Sequence, residues 1–139
     1  MALTMLKAPQ KTLGKHGMNW IRQEKRFALY MRDDFTCAYC GATPADDGIK
    51  LTLDHLKPRS KGGSNATENL VTCCLSCNSA RGNRTIKAFA KAVASYVDAD
   101  AVEILSSITD SIEREIPKAE AKAHVESYGS AAKALEALS

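Results

Sequence analysis

The sequence contains no long apolar run. Its longest uninterrupted stretches, such as Phe27 to Met31, are only a few residues, against the roughly 18 that a membrane-spanning helix needs, so a transmembrane helix is excluded. The first residues, MALTMLKAPQKTLGKHG, scatter lysines without an apolar stretch and small-residue cleavage site. That pattern argues against a secretory leader and for a reducing cytoplasm. Internal repeats are missing as well, which removes solenoids and propellers. With 139 residues, 45% apolar and 25% charged, the chain has the composition of an ordinary globular protein and can form a core without covalent staples.

The net charge of +3 hides an asymmetry. Residues 1–84 carry thirteen basic and seven acidic side chains, residues 85–139 six basic and nine acidic. The first part suits a polyanionic partner, although charge alone does not identify one.

Composition shifts divide the chain into three. Residues 1–18 mix Lys, Gly, Pro and Thr without periodicity and read as a flexible basic arm. Residues 19–85 open with a helix, WIRQEKRFALYMRDD, capped by Asn19, with Trp20, Phe27, Tyr30 and Met31 near a core-facing side and Arg22, Lys25, Arg26 and Arg32 on the others. The remainder of that unit is rich in Cys, Gly, Asn and Pro. Two short apolar pieces, Leu51 to Leu53 and Leu70 to Thr72, flank the polar stretch KPRSKGGSNATEN and read as antiparallel strands joined by a surface loop. Residues 86–139 are helical. Ile86, Phe89, Ala90, Val93 and Val97 follow one helical stripe capped by Thr85, and Val102, Leu105, Ile108, Ile112 and Ile116 a second. Two Ala-rich helices, 119–128 and 131–138, follow, separated by Gly129 and with Ser130 as a cap. This extension could pack on the first helix, pair with a second copy, or dock a partner.

Five cysteines supply the strongest local signal. Cys37-Ala-Tyr-Cys40 and Cys74-Leu-Ser-Cys77 are two CxxC knuckles with 33 residues between Cys40 and Cys74. Four thiolates so spaced can surround one tetrahedral Zn²⁺ at about 2.3 Å, a closed and therefore structural site. A unit this small and loop-rich needs such a clamp. Disulfides or a redox CxxC lack their usual setting here, and Cys73 is left over as a small apolar residue.

Between the knuckles runs LTLDHLKPRSKGGSNATENLV, and the second continues into CNSARGNRT. The order CxxC, LDH, GGS loop, ENL, CxxCN and RGN over residues 35–85 resembles the HNH endonuclease family, in its zinc-stabilised branch. That resemblance implies an α+β protein: a zinc-clamped ββα-metal unit, here with an N-terminal helix and an α-helical C-terminal extension. It implies hydrolysis of DNA phosphodiester bonds, with His55 as general base, Asn69 orienting it, and Asp54 and Asn78 binding the catalytic ion. The residues suit those tasks. A neutral imidazole can take a proton from water. One carboxylate and one amide oxygen suit hard Mg²⁺ or Mn²⁺, and Asn78 in place of a histidine disfavours softer Zn²⁺, Ni²⁺ or Co²⁺ there. Since neighbouring strand residues point to opposite faces, Asp54 and His55 are expected at a strand end. Arg81, on the face of Asn78, is expected to touch the substrate backbone, with Arg84 and the loop residues Lys57, Arg59 and Lys61 as a salt-sensitive clamp.

A rival reading is a non-catalytic zinc-ribbon-like nucleic-acid-binding module or adaptor. It keeps the cysteines and basic residues but has no need of Asp54, His55 and Asn78 together. Similar proteins are compact phage or bacterial nucleases. A homodimer, or a phage packaging or restriction partner held through the C-terminal helices, fits the same layout.

Overall fold

The computed structural model describes residues 20–139. The expected arm over 1–18 and the Asn19 cap lie outside the described residues. Helix α1 runs over Gln23–Arg32, and the four-residue turn α2 over Pro44–Asp47. Strands β1 (Leu51–His55) and β2 (Leu70–Cys74) follow, then helices α3 (Leu75–Arg81), α4 (Ile86–Ala94), α5 (Ala101–Glu113), α6 (Lys118–Tyr128) and α7 (Ala131–Leu138). Mixed α+β architecture with a two-stranded antiparallel sheet is thus what the chain adopts among the described residues.

Two strands alone are marginal in water, and here both are covered on both faces. The register pairs Leu51 with Cys74, Leu53 with Thr72 and His55 with Leu70. Leu51, Leu53 and Leu70 pack with Phe27, Leu29 and Tyr30 of α1, whereas Val71 and Cys73 pack with Tyr39, Phe89 and Val93 on the other side. Alternation along each strand feeds these two cores at once.

The outer edge of β2 is closed by an ion pair. Arg32 was expected on a solvated face of α1 but is 6% exposed. Its Nε donates to Asp33 Oδ1 at 2.8 Å and its Nη groups to the carbonyls of Thr67 and Leu70. Asp33 in turn accepts from the Thr72 amide at 2.9 Å. An orphaned strand edge and a buried charge satisfy each other here, which explains why a helix-terminal arginine turns inward.

The C-terminal helices pack on opposite sides of the sheet. α4, capped by Thr85 as expected, and α5 join the core that contains the cysteines. α6 and α7 lie on α1 through Ala121, Val125, Ala131 and Ala134, with Ser130 capping α7. In α5 the buried line is Ile104, Ile108 and Ser111, and Val102 is 75% exposed. Asp100 caps the helix and fixes its phase, which carries Val102 to the far side of the expected stripe. Ile116 falls beyond the helix end at Glu113.

Candidate active site

The site is built on the seam between β1 and α3, and the cysteine cluster sets that seam. Ala38 N donates to Thr72 O at 2.9 Å, tying the first knuckle to β2. Cys74 ends β2 and caps α3, its sulfur accepting from the Cys77 amide at 3.4 Å, and Cys37 Sγ accepts likewise from the Cys40 amide. The Sγ atoms of Cys37, Cys40, Cys74 and Cys77 all lie within 4.8 Å of one another. Four sulfurs at about 2.3 Å from one ion would be about 3.8 Å apart. The Cys37–Cys77 and Cys40–Cys74 separations are 3.5 and 3.9 Å, so these four residues can hold a structural zinc ion. Cys73 is buried against Phe89 and outside the cluster, and burial pushes its thiol up.

Once α3 leaves the knuckle it lies against β1. Asn78 Nδ2 donates to Leu53 O at 3.2 Å, and one helical turn on, Arg81 Nη1 donates to Asp54 Oδ2 at 2.7 Å. Two neighbours in β1 are thus read by residues i and i+3 of one helix face. Asp54 also accepts from the Tyr39 hydroxyl at 2.5 Å. Burial, and then the Asp54 charge, raise the Tyr39 phenol, which keeps it a donor. Burial works against the Arg81 charge most strongly, but the Asp54 carboxylate and Tyr39 together offset it and raise the guanidinium.

His55 is the last residue of β1, and its side chain parts from that of Asp54. Its ring meets Trp20 at 4.6 Å between centroids and its Nε2 lies 2.8 Å from Asn65 Oδ1. An amide oxygen only accepts, so this contact selects the Nε2–H tautomer and leaves the Nδ1 lone pair free. Asn65 is itself held, its carbonyl accepting from Lys25 Nζ of α1 at 2.7 Å. Asn69 does not reach the imidazole. Its Oδ1 accepts from Lys57 N at 2.9 Å and its Nδ2 donates to the carbonyls of Lys57 and Ser64. It closes the loop that follows His55, and Leu56 N donates to its main-chain oxygen.

Residues 37–94, the stretch that contains both knuckles, the seam and this loop, match the model of the family described as HNH endonuclease. This segment is similar to an HNH endonuclease domain. The CRISPR-associated endonuclease Cas9 of Corynebacterium diphtheriae is 36% identical over 67 residues, 48% of this chain and 6% of that relative. The chain therefore spans a small part of that relative's length. No solved structure matches.

Within the matched segment the structure brings Asp54, His55, Asn69 and Asn78 to one seam and its loop. It gives Arg81 a different task from the expected one. That side chain is 4% exposed, and its donors go to Asp54, to the carbonyls of His55 and Leu56, and from Nε to Arg84 O. A guanidinium so fully bonded braces the strand end. Lys57, Arg59, Lys61 and Arg84 are exposed, with Arg84 over the Phe89 ring at 5.0 Å.

Three contributors were missed from sequence. Trp20 reads there as core, which it also adjoins, while Tyr39 and Asn65 have no role assigned to them. The tyrosine inside a CxxC was a usable hint, because a knuckle turn directs its intervening side chains sharply. Trp20 and Asn65 carry no local signal, since their role depends on where α1 docks.

Proposed function

We propose that the chain is a divalent-metal-dependent endonuclease that hydrolyses DNA phosphodiester bonds, with His55 as the general base. The observation that carries this reading is the His55 imidazole, held at a strand end by Trp20 and Asn65 with Nδ1 left as the acceptor. Nδ1 takes a proton from water as the water oxygen bonds to phosphorus and the P–O bond to the leaving oxygen breaks. Asn69 keeps the loop closed behind the base and so holds the ring in position.

Asp54 and Asn78 are the residues that would hold the cation. Among the described residues, Asp54 Oδ1 and Asn78 Oδ1 have no recorded donor, while Asp54 Oδ2 and Asn78 Nδ2 are already bonded to protein groups. Two hard oxygens fit Mg²⁺ or Mn²⁺ better than a softer ion. When bound there, the cation supplies positive charge against the phosphate and the leaving oxygen. Because Arg81 balances the Asp54 charge, the two residues form a weak set that substrate phosphate oxygens would complete. A zinc ion on Cys37, Cys40, Cys74 and Cys77 holds α3 against β1.

Exposed Lys57, Arg59, Lys61 and Arg84 supply phosphate contacts that do not depend on base sequence. One such site cuts one strand, so a single chain nicks, and double-strand cleavage takes a second copy or a partner chain.

The test is supercoiled plasmid incubated with zinc-loaded protein, with and without Mg²⁺ or Mn²⁺, beside His55→Ala and Asn65→Ala at matched zinc content. Nicking should need the divalent ion and vanish in His55→Ala. In Asn65→Ala, loss of one orienting hydrogen bond should lower kcat roughly five- to tenfold and leave KM in place. Nicking that persists in His55→Ala, or none with either ion, overturns the proposal.

A further inference from the structure

A second basic feature takes its cations from outside the matched segment. Between α1, α6 and the turn that leads into β2 is a cleft of about 470 Å³, lined by Arg22, Lys25, Lys118 and Lys122 with Glu24 as its one carboxylate. These cations come from two helices more than ninety residues apart in sequence, and α6 belongs to the part of the chain whose net charge is negative. Lys118 and Lys122 are one helical turn apart, on a side of α6 next to the buried Ala121 and Val125.

The cations are free to take a ligand. Lys122–Glu126 at 4.0 Å and Arg22–Glu24 at 3.9 Å are loose pairs between exposed groups, of the kind worth little in water. Lys25 is half-buried and, among the described residues, has a carbonyl oxygen rather than a carboxylate as its recorded partner. A half-buried ammonium without a counter-ion marks a place where an anion is favoured. Lys25 also links the cleft to the site, because the Asn65 whose carbonyl it bonds is the residue on the His55 ring.

We propose that this cleft binds backbone phosphates of duplex DNA, so that the C-terminal helices extend the DNA track away from the scissile bond. The proposal rests on the nuclease reading only in that the same duplex occupies both places. Phosphodiester oxygens complement a cluster of four cations and one carboxylate, and no base contact is involved.

The experiment measures binding of a fluorescent duplex by anisotropy across a salt series, with the full zinc-loaded chain, in the absence of added divalent ion. Lys118→Gln/Lys122→Gln should bind more weakly, and its slope of log K against log salt should be shallower by about 1.8, the value for two lost phosphate contacts. Lys118→Glu/Lys122→Glu should weaken binding further. A control pair on other helices, Lys91→Gln/Lys133→Gln, should keep the wild-type slope, and thermal melts should show all variants folded. An unchanged slope in the cleft variants, or no duplex binding by wild type, overturns the proposal. Polyglutamate that binds with the same dependence on Lys118 and Lys122 while duplex does not would make the cleft a protein site and overturn it too. Plasmid nicking is read in parallel. Nicking with an unchanged slope removes the cleft and keeps the nuclease, and a cleft-dependent slope without nicking does the reverse.

Discussion

Replacing Arg81 by methionine separates a buried brace from a residue that meets substrate. In the folded chain Arg81 Nη1 lies 2.7 Å from Asp54 Oδ2 and 2.8 Å from His55 O, and Nη2 lies 2.9 Å from Leu56 O. The Arg81 and Asp54 side chains are 4% and 11% exposed. Methionine fills much of the same volume, but it leaves the Asp54 carboxylate to the Tyr39 hydroxyl and takes a donor from the carbonyls of His55, Leu56 and Arg84. Removing one partner of a buried pair costs about 3–5 kcal/mol, a large share of the roughly 5–15 kcal/mol by which a domain is stable. Urea unfolding of zinc-loaded protein, at constant m, should show that loss. Asp54→Asn combined with Arg81→Met should recover part of it, because the stranded charge is then gone. Salt-dependent DNA binding should keep its slope in the single variant, once compared at temperatures where both proteins are folded. A loss below about 1 kcal/mol together with a slope shallower by about 0.9 would refute the brace and return Arg81 to the substrate surface.

Zinc removal by a chelator should abolish cooperative unfolding of the cysteine-clamped segment, since metal binding in such units supplies roughly 10–16 kcal/mol of apparent folding energy. Elemental analysis should find one zinc per chain in wild type and in Cys73→Ala but not in Cys74→Ala; a metal-free chain with an intact cooperative transition would refute this. Gly63→Ala tests the loop. An added Cβ would lie 1.8 Å from Lys57 O and 2.9 Å from Pro58 O, both main-chain atoms that cannot swing away. The loop must open and Asn69 must release Lys57, so amide exchange at Lys57 should speed up and stability should fall by about 1–3 kcal/mol. Wild-type protection at that amide would count against the closed loop.

Much of the site was legible because it rests on local chemistry. The knuckles needed only cysteine spacing, and the strands needed only two short apolar pieces around a Pro- and Gly-containing loop. Residue types at Asp54, His55 and Asn78 named the available donors. What local reading missed were side chains whose surroundings come from elsewhere in the chain. Arg32 and Arg81 look solvent-facing by helix position, yet each is drawn inward by a carboxylate and by carbonyls that would otherwise be orphaned.

Sequence by itself determined the two strands, the main helices and the pairing of two CxxC knuckles, and it named His55 as the candidate base, because spacing, turn residues and donor chemistry act within a few positions of the chain. Tertiary structure alone decided that Asn65 and Trp20 hold His55, that Asn69 closes the loop, and that Arg81 is a brace. It also decided that two lysines of α6 line a cleft against α1. Each of these depends on the docking of α1 and α3 against the sheet, and docking is set by apolar burial and by pairing of buried polar groups across long stretches of chain, which no single segment encodes.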